Sequence, residues 1–261
     1  MLNGKTALIT GSSLGIGYAV ADKLAAAGCN IVLNGIEDAA EIGPKAQVLI
    51  NTHGIDAIYE PCNVGDGNAL EAVIKRAQAR FGNIDIVVNN AVSRHFGAIE
   101  DTDPVDWERV IAVNLTSAYR TIHHTLADMK RQGWGRIINM SSIYGLIGAQ
   151  NRASYVTTKT ALIGLTRAIA LEVAKHPGIT CNAVCPGTVR TTHADNTIQK
   201  VMDTDGISET EAAARFLGGK QPSDRFIDVE SVAEMVAFLC GSGGRDINGA
   251  VMPIDHAWSA S

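Results

Sequence analysis

Seven short apolar runs separated by longer amphipathic stretches constrain this chain more than any other feature. The runs cover residues 5–10, 30–34, 56–60, 85–89, 136–140, 180–185 and 250–254. Helical spacing runs over 15–27, 38–52, 68–81, 105–130, 154–175 and 230–239. Strands that alternate with helices pair in parallel through right-handed crossovers. Runs that are apolar throughout, rather than on alternate residues, belong to a sheet covered on both faces. The expected class is α/β: a Rossmann-type, doubly wound parallel sheet of about seven strands with helices on both faces. Residues 1–261 are expected to form a single domain. The one long irregular stretch, 187–222, is polar and helical only around 209–216, which predicts a substrate lid.

Composition narrows the function. With 46% hydrophobic and 19% charged residues, a large core forms and disorder is excluded. A formal net charge of −5 without a basic stripe argues against nucleic acid. No polybasic segment is present to hold an anionic membrane. The opening MLNGKTALIT lacks the apolar core and cleavage site of a signal peptide, and no apolar run approaches the roughly 18 residues of a membrane span. Cys29, Cys62, Cys181, Cys185 and Cys240 are odd in number and scattered; they read as reduced thiols of a cytoplasmic protein. No metal-ligand spacing appears.

The first strand runs into Gly11-Ser12-Ser13-Leu14-Gly15-Ile16-Gly17 and then a helix. Glycines let the backbone turn sharply against a pyrophosphate, and the helix N-terminus offers free N–H groups and a positive dipole end. Asn34 stands at the end of the second strand, where dinucleotide folds hold the adenosine ribose, and Glu37 and Asp38 follow. No Arg or Lys sits there to hold a 2′-phosphate, which two carboxylates would repel, so NAD is expected over NADP.

Tyr155 and Lys159 lie four apart in the helix expected over 154–175 and share a face. An ammonium beside a phenol favours the phenolate. Tyr155 is therefore a candidate general base for a hydroxyl proton, or an acid in reverse. Ser142 follows the strand at 136–140, at the carboxyl edge where open α/β sheets bind ligands. Its hydroxyl can hold a substrate oxygen.

Taken together, these motifs resemble the short-chain dehydrogenase/reductase family over essentially the whole length. Residues 10–17, with Gly11, Ser13, Leu14, Gly15, Ile16 and Gly17, resemble its cofactor turn. Asn89-Asn90-Ala91 resembles its segment after the fourth strand, and Pro186-Gly187 its segment beside the nicotinamide. Asn114, Ser142, Tyr155 and Lys159 match its catalytic tetrad. The resemblance implies that Ser142 orients the reacting oxygen and that Lys159 also binds the nicotinamide ribose. It implies that Asn114 positions a relay water, that Val189 and Thr191 contact the carboxamide, and that Asn63 and Val64 contact the adenine. It also implies a homotetramer with the helices over 105–130 and 154–175 at an interface. Val92 departs from the pattern, standing where the family has glycine, and a side chain there narrows the cofactor site.

Within the family, residues 31–35, 38–42 and 220–223 and Trp258 resemble enzymes acting on D-3-hydroxybutyrate. The substrate positions differ from those enzymes. Arg94-His95 replaces a glutamine–histidine pair, Tyr144 a histidine, Arg152 a lysine, Thr188 a tryptophan and Thr197 a glutamine. Arginine's planar fork suits a carboxylate bidentately, and Thr188 leaves more room. Arg94, His95, Ser142, Tyr144, Arg152, Tyr155 and Trp258 are expected to bind the substrate. That substrate is read as a small anionic hydroxy or oxo acid, bulkier or more charged than 3-hydroxybutyrate. An NADP-dependent 3-oxoacyl thioester reductase would instead need a basic residue near 34–38. A sugar or cyclic alcohol dehydrogenase would not need Arg152, and a nucleotide-sensing regulator that had lost catalysis would show a broken tetrad.

Overall fold

A computed structural model of the chain describes residues 2–260. The first half runs β1 (Thr6–Ile9), α1 (Gly15–Ala26), β2 (Asn30–Gly35), α2 (Ala39–His53), β3 (Ala57–Pro61), α3 (Gly67–Phe81) and β4 (Ile86–Asn89). The second runs α4 (Pro104–Ile111), α5 (Ser117–Gln132), β5 (Gly135–Met140), α6 (Ala153–Glu172), β6 (Ile179–Pro186), α7 (Thr192–Asp205), α8 (Glu209–Leu217), α9 (Val229–Cys240) and β7 (Val251–Ile254). The strands form one sheet in the order β3-β2-β1-β4-β5-β6-β7, with every neighbouring pair parallel. The chain winds outward from β1 to β3, returns to β4 beside β1, and winds the other way. The β1–β4 boundary is thus the switch point, and a crevice opens beyond the carboxyl ends of these strands.

Successive strand side chains enter two apolar layers, which explains why the runs lack alternation. Ile9, Leu33 and Val88 pack with Leu24 of α1 and Val236 of α9. Their neighbours Leu8, Val32 and Val87 pack with Leu70 and Ile74 of α3 and Ile122 of α5. One buried polar ladder crosses the second layer. Thr121 Oγ1 donates to Asn89 Oδ1 (2.6 Å), Asn89 Nδ2 to Asn139 Oδ1 (2.8 Å), and Asn139 Nδ2 to Thr166 Oγ1 (2.9 Å). It ties α5, β4, β5 and α6 into register.

Helix starts divide into two kinds. Asp38, Asp66 and Asp103 accept first-turn amides of α2, α3 and α4, each cap stabilising its helix by about 1 kcal/mol. The N-cap of α1, Leu14, has only an apolar side chain, so the amides at its first turn have no side-chain cap.

Two elements differ from expectation. The helix expected over 105–130 is α4 and α5 joined by a π-helical turn, Ala112–Thr116; its apolar spacing continues across the turn, so periodicity does not reveal it. The stretch 187–222 holds two helices rather than one. Thr191 caps α7, and Ser208 with Glu211 forms a capping box on α8. Arg190 binds Asp195 of α7 and Glu209 of α8, and its guanidinium lies 5.2 Å from the Phe226 ring centre.

The sheet borders are β3 and β7. Even-numbered residues of β3 face β2, since Ile31 N donates to Asp56 O and Cys62 N to Gly35 O. Pro61 therefore lies on the outward side. In β7, Ala183 N donates to Ala250 O and Gly187 N to Ile254 O, which leaves Pro253 outward as well.

Candidate active site

The switch point is built by mutual bracing of two loops. Asn90 Nδ2 donates to the Thr10 and Gly11 carbonyls (3.0 and 2.8 Å), and the Asn90 and Ala91 amides donate to Thr10 Oγ1 (3.0 Å each). This contact leaves no room for a side chain at Gly11, whose φ is +62° and whose added Cβ would sit 2.8 Å from Ala91 Cα. At Gly17 an added Cβ would collide with the Gly11 carbonyl. A glycine cradle leading into a helix without a side-chain cap fits the pyrophosphate of a nicotinamide dinucleotide.

Asn34 takes a different place from the one expected. It is 1% exposed; its Nδ2 donates to the Glu60 and Cys62 carbonyls (3.0 and 3.3 Å) and its Oδ1 accepts from Gly11 N (3.3 Å). The amide supports the turn from inside because it satisfies backbone groups at the ends of β2 and β3, and it does not reach outward to a ribose. Asn63 Oδ1 accepts from Gly65 N (3.0 Å), and Val64 packs into the apolar layer of Leu70 and Ile74. Of the two carboxylates after β2, Asp38 is spent on capping α2. Glu37 turns back, with Ser13 Oγ donating to its Oε1 (2.8 Å) and Tyr59 OH to its carbonyl (2.8 Å). The expectation of no nearby cation needs correction. Lys45, one and a half turns into α2, donates to the Ser13 carbonyl (2.7 Å) and stands 5.4 Å from the Tyr18 ring centre.

Three of the candidate side chains meet on one wall. Tyr155, Lys159 and Ser142 line a cavity of about 440 Å³ beyond β4, β5 and β6. Ser141 Oγ donates to the Lys159 carbonyl (2.7 Å), and an added Cβ at Gly145 would lie 2.8 Å from Lys159 O. The turn carrying Ser142 therefore packs directly on α6. Ser142 Oγ accepts from Tyr144 N (3.2 Å). Lys159 Nζ donates to the Met140 carbonyl (2.7 Å) and lies 5.7 Å from the Tyr155 ring centre. Burial, reinforced by the Arg94 charge, brings the Lys159 ammonium down to about 7.

Asn114 occupies the π-helical turn and its side chain is fully used. Oδ1 accepts from Ser93 N (2.7 Å), while Nδ2 donates to Ser93 O (3.0 Å) and Thr158 Oγ1 (3.2 Å). Its amide pins the loop after β4 to α6 and does not line the cavity; the side chain is a positioning group.

Ile16, Asn90, Val92, Pro186 and Gly187 line the same cavity, as do Val189 and Thr191. Gly187 is held by its amide to Ile254 O (2.9 Å), and the Thr188 amide donates to Gln221 Oε1 (2.6 Å). Of the expected substrate residues, Arg94, Tyr144, Arg152 and Trp258 are present. His95 is not: its Nδ1 lies 3.1 Å from Asp106 of α4, and its Nε2 is buried without a hydrogen-bond partner. The Asp106 carboxylate draws the ring away from the cavity.

The far wall is aromatic and cationic. The Arg152 guanidinium carbon stands 4.3 Å from the Phe96 ring centre and 5.3 Å from that of Tyr144. Arg94 stands 5.8 Å from that of Tyr155. Trp258 packs edge-on against Tyr144 at 5.4 Å. Burial pushes the Tyr144 phenol up, and Arg152 opposes this. Sequence reasoning gave no site role to Phe96, His193, Phe216 or Lys220, which also line the cavity. The Thr191 cap was the available signal for α7, which brings His193 inward. Among the described residues, no Asp or Glu contributes to the lining.

Residues 5–202 match the family described as short chain dehydrogenase. A D-beta-hydroxybutyrate dehydrogenase of Cupriavidus necator is 39% identical over 260 residues, covering 100% of both chains. One of Rhizobium meliloti is 38% identical, covering 98% of this chain and 99% of the relative. Among solved structures, an L-sorbose reductase of Gluconobacter frateurii complexed with NADPH and L-sorbose superposes with a TM-score of 0.94. It is 27% identical and covers 99% of this chain and 98% of that one. Since the family match runs from β1 into α7, and relatives 38–39% identical cover 98–100% of the chain, this chain belongs to the short-chain dehydrogenase family of oxidoreductases.

Proposed function

We propose that the chain oxidises a small anionic hydroxy acid, or reduces the matching oxo acid, with NAD as cofactor. One observation carries the substrate class: in a chain of net charge −5, the ionic side chains lining the cavity among the described residues include Arg94, Arg152, Lys159 and Lys220 and no carboxylate. A bound nicotinamide supplies the hydride chemistry, and the protein handles orientation and the proton. Ser142 accepts a hydrogen bond from Tyr144 N, which leaves its own proton to donate to the substrate oxygen. Tyr155 takes the carbinol proton in oxidation and returns it in reduction. Lys159, anchored on the Met140 carbonyl, sets a cation beside that phenol. Arg152, stacked between Phe96 and Tyr144, offers a fork to the substrate carboxylate.

The NAD preference rests on Glu37, whose carboxylate is fixed beside Ser13 where a 2′-phosphate would lie; Lys45 is occupied by the Ser13 carbonyl. The segment 187–222 acts as the lid of a single catalytic domain. A cytoplasmic homotetramer, with α5 and α6 at an interface, completes the reading. Initial rates of nicotinamide reduction with hydroxy acids and with matched neutral alcohols test it. Acids are expected to exceed the alcohols by tenfold or more in kcat/KM. Equal rates defeat the anionic reading, and equal turnover with NADP defeats the cofactor reading.

A further inference from the structure

The two cavity arginines do not work on the same place. Arg94 arrives on the loop after β4 and lies over Tyr155, and its charge reaches Lys159. Arg152 arrives at the start of α6 and lies between Phe96 and Tyr144, and its charge acts on the Tyr144 phenol. Two aromatic rings separate them along the wall, Tyr155 and Tyr144, with centres 6.4 Å apart and nearly perpendicular planes. Neither arginine has an acidic partner among the described residues; Arg120, Arg136, Arg167 and Arg225 lack one too, but none of those four lines the cavity. Arg94 is exposed and Arg152 half-buried, so each guanidinium is open to an incoming anion, and a ligand that covers both gains most by bringing an acid group to each. One carboxylate placed on the Arg152 side leaves Arg94 uncompensated beside the reacting centre.

Building on the anionic-acid reading, we propose that the substrate carries two acid groups, one held by Arg94 next to the carbinol and the other by Arg152 at the far end of the cavity. The substrate is then a hydroxy dicarboxylate or its oxo counterpart. Each acid group meets its own arginine, so the hydroxy carbon is held at two points around Tyr155 and Ser142.

The test compares kcat/KM of the enzyme with NAD for 3-hydroxybutyrate, 2-hydroxyglutarate, 3-hydroxyglutarate and a neutral secondary alcohol. The better dicarboxylate is expected to exceed 3-hydroxybutyrate by tenfold or more. Arg94→Gln is expected to cut that ratio at least tenfold, and Arg94→Lys, which keeps the charge, to restore part of it. The lysine variant also decides the matter if the glutamine variant does not fold. The proposal is overturned if 3-hydroxybutyrate equals or surpasses both dicarboxylates. It is also overturned if Arg94→Gln lowers mono- and dicarboxylate turnover equally, since both arginines would then grip one carboxylate. If the neutral alcohol matches the acids, the anionic reading itself fails and takes this inference with it, a result separable from the other two.

Discussion

A single oxygen atom separates Tyr155 from phenylalanine, and the proposed proton step depends on it. Tyr155→Phe is expected to lower kcat by about 10²- to 10⁴-fold, the range for a positioned acid or base. Nicotinamide binding, followed by fluorescence titration, should persist; substantial residual turnover would contradict the role. Gly11→Ala tests the cradle. The new Cβ meets Ala91 Cα at 2.8 Å on a backbone at φ +62°, so dinucleotide affinity should fall sharply in the same titration. At this scale the reading from sequence anticipated placement where spacing carries geometry. Tyr155 and Lys159 are one helical turn apart, and Ser142 follows a strand whose end must reach the crevice. It failed where direction depends on a distant partner. Asn34 turns inward because the ends of β2 and β3 need its amide, and His95 turns to α4 because Asp106 stands there.

At the scale of elements, the π-helical turn between α4 and α5 inserts Asn114 between the loop after β4 and helix α6. Asn114→Ala removes its bonds to both backbone groups of Ser93 and to Thr158. The expected cost is about 1–3 kcal/mol in denaturant unfolding, and kcat should fall as well because the loop carries Arg94. Turnover unchanged from the parent would show that the pin does not matter to the site. The buried ladder predicts a purely structural cost. Asn139→Leu removes the acceptor of Asn89 Nδ2, orphaning that donor, and takes away the donor to Thr166 Oγ1, destabilising the fold by about 3 kcal/mol. Strand and helix periods were legible from the sequence because burial repeats with them. The π-helical turn and α7 were not, since one adds a residue without disturbing apolar spacing and the other is mostly polar outside Ala194 and Ile198.

For the whole molecule, Lys159 links folding to pH. Its ammonium titrates at about 7 when folded and near its ordinary 10.5 when unfolded. Above about 7 the unfolded chain therefore holds the extra proton, and stability rises with pH. The thiols act with opposite sign. Burial pushes Cys29 and Cys181 up to about 12, so once unfolded thiols ionise near ~8.5 stability declines again. Denaturant midpoints of the ligand-free protein should peak between these limits. Lys159→Met should flatten the rising limb; an unchanged limb would show that another group causes it.

The borders of the sheet carry a consequence of their own. A neighbouring molecule that tried to lengthen the sheet would look for an N–H at Pro61 on one flank and at Pro253 on the other, and proline has none. Strand-by-strand fibre growth is thus discouraged at both flanks, even in concentrated solution. Copies of this protein that associate are steered to meet through their helices.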